Sequence, residues 1–297
     1  MRQSCRAGAA ALLLLGGCAA APDERSAPAA AIAASPSAGE PLRVCADPNN
    51  MPFSNQREEG FENRLAELVA EELGTSVRYT WWASRRGFIR NTLNAGACDV
   101  VMGVPRDYEL VRTTRPYYRS TYVFLTPEGT AHVPASLLDD ELRRLRVGVQ
   151  IVGDDGASSP PAHILAERGI VTNVVGYSVL GDYSTDSPPS RIVAAVAAGE
   201  VDVAIAWGAM AGYFAARQAP PLRVTPVPQT GSRLPMAFDV AIGVRKADAA
   251  RAAQLDAILA SRSGDIARIL DEYRVVRVED SSAEEVGRLT GIEPATP

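Results

Sequence analysis

The side chains able to do chemistry in this sequence are few and scattered, and they suit holding better than bond breaking. The whole chain has two histidines: His132 in a connecting stretch and His163 at the start of a helical one. It carries no Gly-x-Ser-x-Gly elbow, no His-Glu-x-x-His helix and no glycine-rich phosphate loop ending in lysine. Asp99 and Asp202 each stand at the head of an apolar run, where capping a turn is commoner than acid–base work. We therefore expect no catalytic residue and no cofactor. Two body cysteines without a histidine cluster do not fill a tetrahedral shell, so no metal site is expected either.

Those two cysteines carry a different expectation. Of the four cysteines, Cys5 lies in an exported leader and Cys18 at its end, which leaves Cys45 and Cys98. An even pair in an oxidising compartment reads as a disulfide. Closing a loop of roughly fifty residues would stabilise the fold by about 3–4 kcal/mol in the chain-entropy model.

The leader is plain in the sequence. Arg2 and Arg6 are followed by the apolar run Ala9 to Leu15 and then by Leu15-Gly16-Gly17-Cys18. Such a run is too short for a permanent span, which needs about 20 residues, so residues 1–17 read as a signal peptide. The Leu-Gly-Gly-Cys ending resembles a bacterial lipobox, which would make Cys18 a lipidated first residue and the lipid the chain's attachment to a membrane; the other reading is an ordinary cut near Ala20 or Ala21. Residues 18–41 are almost all Ala, Pro, Ser and charge, a composition that suits a disordered tether. Losing Arg2 and Arg6 takes the formal charge from −5 to about −7, which argues against a nucleic-acid partner.

The body alternates β-rich runs with amphipathic stretches, the pattern of sheets with helices on their faces. Strands are expected at 42–46, 76–81, 98–103, 121–126, 146–150, 170–175, 201–207, 222–227 and 236–244. Helices are expected at 62–73, 87–94, 161–168, 189–198, 249–260 and 265–273. Ala95-Gly96-Ala97-Cys98-Asp99-Val100 and Ala198-Gly199-Glu200-Val201-Asp202-Val203 run alike, suggesting two halves of similar build.

Two stretches are distinctive: Cys45-Ala46-Asp47-Pro48-Asn49-Asn50-Met51-Pro52-Phe53-Ser54-Asn55, and Pro116-Tyr117-Tyr118. With Gly60-Phe61-Glu62 they resemble the family-3 solute-binding proteins. Residues 42–82, Arg85-Arg86-Gly87-Phe88, 99–105, 115–124, Gly148-Val149-Gln150 and 199–207 are similar to the methanol-dehydrogenase-associated members of the MxaJ and XoxJ type. The resemblance covers roughly residues 42–273. It implies an α/β, two-lobed periplasmic-binding-protein fold, each lobe a mostly parallel sheet flanked by helices, joined by a two-crossover hinge. Lobe 1 would comprise 42–126 and 236–280, lobe 2 residues 127–235, and 281–297 a tail.

Departures from the amino-acid-binding members are informative. Those receptors carry an arginine nine residues before the proline of Pro-Tyr-Tyr to grip a carboxylate; here that place is Asp107, with Arg106 one residue away as the alternative grip. Their aspartate for the ligand ammonium falls on Trp207. Losing both makes a zwitterion a poor ligand, because a buried charge without its partner costs several kcal/mol. In Gly153-Asp154-Asp155-Gly156, Asp154 and Asp155 would repel an anion from the second lobe's strand-to-helix turn, or one of them merely caps the helix. Phe53, Phe61, Trp81, Trp82, Phe88, Tyr108, Tyr117, Tyr118, Tyr183, Trp207 and Tyr213 are expected to face the cleft and suit an apolar guest or an inserted segment; as large aromatics, half or more of them would serve in the lobe cores instead. Arg85, Arg86, Arg90, Arg106, Arg112, Arg115 and Arg119 form a basic run that reads either as a solvated face or as an edge for an acidic partner. The resemblance implies a non-enzymatic accessory protein that matures or activates a periplasmic pyrroloquinoline-quinone-dependent methanol dehydrogenase, the quinone belonging to that enzyme. The alternative is an importer's receptor for a small, non-amino-acid and apolar solute.

Overall fold

In the computed structural model the described residues are 39–151, 159–178, 183–229 and 233–279. The expected signal peptide, Cys18, Asp154, Asp155 and the tail at 281–297 lie outside them, as does most of the tether. Among the described residues the elements run β1 (Leu42–Ala46), β2 (Asn49–Asn50), β3 (Ser54–Asn55), α1 (Phe61–Glu72), β4 (Val77–Trp81), α2 (Phe88–Asn91), β5 (Val100–Pro105), β6 (Arg112–Thr113) and β7 (Tyr118–Thr126). They continue as β8 (Val147–Ile151), α3 (Pro160–Glu167), β9 (Val174–Ser178), α4 (Arg191–Ala197), β10 (Val203–Trp207), α5 (Gly208–Ala215), β11 (Arg223–Pro226), β12 (Ala237–Val244), α6 (Ala249–Ser261) and α7 (Ser263–Glu272).

The strand order β4-β1-β5-β12-β7-β10-β8-β9 holds two parallel groups. β1 runs parallel to β4 and β5, and β8 parallel to β9 and β10. Between them stand β12 and β7, paired antiparallel to each other and to the flanking groups. β7 spans the junction: Tyr118 to Thr121 pair with β12, and Tyr122 to Thr126 with β10 or β11. Parallel groups covered by helices and joined through shared strands make this the α/β periplasmic-binding-protein fold.

Local chemistry explains the elements around the cleft. In α1, Leu65, Leu68 and Val69 recur at helical spacing and are buried against Leu255 of α6 and Ile269 of α7, each worth about 1.5–3 kcal/mol. Its start is fixed by Asn63, whose Oδ1 accepts from the Gly60 N–H at 3.0 Å. In β7 the period-2 alternation feeds opposite faces: Val123 and Leu125 enter one core with Ile192 and Phe214, while Tyr122 and Phe124 enter another with Leu142 and Ile164. The disulfide joins Cys45 and Cys98, 53 residues apart, amid Ile89, Leu93 and Val101.

Three differences from expectation have physical reasons. The strand expected at 170–175 begins at Val174, because Ile170 closes α3 by donating to the Leu165 carbonyl at 2.9 Å and is buried beside it. α5 was not expected at all: Gly208 to Gly212, Phe214 and Ala215 are all buried, so the helix lacks the polar face that makes periodicity visible. It packs so closely that a Cβ on Gly212 would fall 2.1 Å from the Arg274 carbonyl oxygen. β7 starts three residues earlier than expected, at Tyr118, since its first half completes the ladder with β12.

Candidate functional site

A cavity of about 700 Å³ opens where the carboxyl ends of β1, β5, β8 and β10 meet, the place where open α/β sheets bind ligands. Phe53, Tyr118, Tyr122, Trp207 and Phe238 form its aromatic walls. Met102, Val101 and Val104 add aliphatic surface. Trp207 ends β10, and its backbone N–H donates to Gln150 Oε1 at 2.9 Å. Its ring meets Tyr122 and Phe238 edge-on at 5.4 and 5.9 Å. Phe53 leans on Phe61 at 5.2 Å.

Two carboxylates line this cavity, and they differ. Asp47 is saturated: Oδ1 accepts from the Asn49 N–H at 2.8 Å, and Oδ2 from the Ser84 N–H at 2.6 Å and the Tyr183 hydroxyl at 2.8 Å. Tyr183 comes from the far half of the chain, and Arg85 stacks 5.7 Å over its ring. Beside this contact the Asn49 amide donates to the Thr185 carbonyl at 2.8 Å, so the rim is clasped across the halves. Burial, then the Asp47 hydrogen bond, raises the Tyr183 phenol above its ordinary value. Glu62, in the first turn of α1, has no hydrogen bond or ion pair among the described residues, and burial pushes its pKa up to about 8. Its carboxylate lies over Gly103, where a Cβ would fall 2.0 Å from Oε1.

Of the residues expected to face the cleft, Phe53, Phe88, Tyr108, Tyr118 and Trp207 line the cavity. Tyr117 stands just behind, packed on Tyr118 at 5.1 Å, its hydroxyl accepting from the Gly103 N–H at 3.1 Å. Trp82 is 46% exposed and outside the lining. Arg106 sits 3.8 Å from both Asp107 and Asp239, and the Asp107 side chain is 87% exposed; neither lines the cavity. Tyr213 stacks on Tyr273 at 5.8 Å under Arg217, away from it. Of the basic run, Arg85, Arg86 and Arg90 are on the cavity wall. Sequence reasoning missed Tyr122, Phe238, Gln150 and Glu62. Tyr122 was within reach, since it lies four residues after Tyr118 on the same strand face.

A family model described as bacterial extracellular solute-binding proteins, family 3, matches residues 42–275. The chain belongs to that family. Among family-3 relatives, protein MoxJ of Methylorubrum extorquens is 34% identical over 254 residues, 83% of this chain and 84% of that protein. The structure of the periplasmic binding protein XoxJ from Methylobacterium extorquens AM1 superposes with a TM-score of 0.66 at 33% identity, covering 80% of this chain and all of that one. MxaJ from Methlophaga aminisulfidivorans MPT gives a TM-score of 0.70 at 24% identity over 80% of this chain and 100% of that one, a likeness of fold. Among the described residues no helix is long and apolar enough to cross a membrane, and no group of His, Cys, Asp or Glu stands ready to hold a metal.

Proposed function

We propose that this family-3 protein is a non-enzymatic, periplasmic accessory partner of a pyrroloquinoline-quinone-dependent methanol dehydrogenase, its aromatic cleft receiving a segment of that enzyme. The observation that carries this reading is Trp207. It stands in the cavity wall at the position where amino-acid receptors of this family keep their ammonium-binding aspartate, so the site presents apolar surface instead of a zwitterion grip. An inserted apolar segment gains roughly 25 cal/mol per Å² buried there. Arg85, Arg86 and Arg90 on the wall orient an acidic enzyme surface and make association weaken with salt. Near full-length similarity to MoxJ and XoxJ supports the assignment. In a strain deleted for this gene the dehydrogenase should mature with a loss of activity; full activity there contradicts the reading.

Anchoring at Cys18 completes the proposal, holding the binding body at a membrane surface. Labelled palmitate should enter the wild type and not Cys18→Ser, and a mature N-terminus beyond Cys18 would exclude the anchor.

The size of the cavity favours a second reading, a receptor handing an uncharged apolar solute to an importer, since pockets of 300–1,000 Å³ are typical of small-molecule sites.

A further inference from the structure

We infer that Glu62 makes the cavity a receptor for an alkylammonium group, which, on the reading that the cleft takes a partner segment, is the side chain of an inserted lysine. A free primary amine carries the same chemistry, and the two sources are separable by experiment.

The case rests on geometry. Among the described residues, Glu62 presents the cavity with a carboxylate that makes no hydrogen bond or ion pair, whereas Asp47 on the same lining is fully engaged. Arg85, Arg86 and Arg90 share the wall, yet none is paired with Glu62. The Gly103 N–H is also spoken for, going to the Tyr117 hydroxyl at 3.1 Å and not to the carboxylate. The carboxylate occupies the space beside residue 103 that a Cβ would otherwise enter. An unpartnered carboxylate on a wall rich in aromatic rings is an arrangement that recognises an organic cation: the rings attract the charge and the acid neutralises it. Above the pKa of Glu62, a neutral guest that covers the carboxylate leaves its charge without a partner, which is costly.

The same geometry couples binding to protons. With its pKa near 8, Glu62 is largely protonated at pH 6, and an incoming ammonium must displace that proton. Tyr117 and Tyr118 beside it and Tyr79 from β4 are all raised by burial, with Glu62 adding to the effect, so they stay neutral over this range. Affinity for a cation should therefore rise about tenfold per pH unit from pH 6 toward 8 and level off above it.

The test is a tryptophan-fluorescence titration of the whole mature protein with n-butylammonium, with 1-pentanol as the neutral counterpart. Butylammonium should bind at least tenfold tighter than pentanol at pH 8.5, weaken about fiftyfold from pH 8 to pH 6, and lose its advantage in Glu62→Gln. Glu62→Asp, which keeps the charge, should retain part of it and guards against a folding defect. Equal binding of the two probes, or a pH-independent preference, overturns the inference. For the source, butylammonium should compete with the dehydrogenase, and Glu62→Gln should weaken that complex, if the group is a lysine; if it is a free amine, the probe binds while the complex is unaffected. A complex that forms equally well with Glu62→Gln, together with failure of butylammonium to bind, sinks the inference and leaves the accessory reading standing.

Discussion

Arg43 holds Asp99 by three donors: its backbone N–H reaches Oδ2 at 3.4 Å, Nε the same oxygen at 3.1 Å, and Nη2 reaches Oδ1 at 2.6 Å. Arg146 holds Asp202 in the same way at 2.7, 3.2 and 2.5 Å, and both pairs are separated by 56 residues. The pattern recognised in the sequence as two Asp-Val strand starts is thus a repeated staple between the first and third strands of each parallel group. The copies are not equal. The Asp99 side chain is 11% exposed and takes a second arginine, Arg245, at 3.2 Å, whereas that of Asp202 is 36% exposed.

Burial therefore sets the energetic difference between them. Asp99→Ala should cost about 3 kcal/mol in urea unfolding, since it leaves two arginines facing a nearly closed site, and Asp202→Ala only a small fraction of that. Burial works against ionisation of Asp99, but the Arg43 and Arg245 hydrogen bonds outweigh it and its pKa is lowered. Its stabilising contribution is accordingly present above the ordinary carboxylate range and lost as pH falls through the folded value. Equal costs for the two substitutions would contradict this account.

Most of the scaffold was legible in the sequence because alternation and helical spacing report burial directly: β1 and α1 lie within a residue of where Leu42 to Ala46 and Leu65 to Leu73 placed them. α5 was hidden by being apolar on nearly every side. The site was legible only in part. Residue type suggested aromatics at the cleft, but which ones enter depends on the crossing of β7 between the halves, which brings Tyr118 and Tyr122 to the cavity and leaves Tyr213 stacked on Tyr273. Glu62 stood out only as part of Gly60-Phe61-Glu62 at the start of a helix, since nothing local there says that the carboxylate lacks a partner.

The cavity should discriminate against zwitterions. Calorimetry with the twenty amino acids should give no dissociation constant tighter than about 1 mM, a free energy near −4 kcal/mol, because Trp207 supplies apolar surface and Asp107 points to solvent. A micromolar amino acid would make the chain an importer's receptor.

The central claim is tested most directly by mixing the purified protein with the quinoprotein methanol dehydrogenase of the same cell at low salt and measuring mass by light scattering. A complex should form and weaken as salt is raised. Trp207→Ala, and Tyr108→Ala at the exposed mouth of the cavity, should weaken it more than Lys246→Ala on the outer surface. Two separate species at low salt, at concentrations where both proteins are folded, would contradict the accessory role.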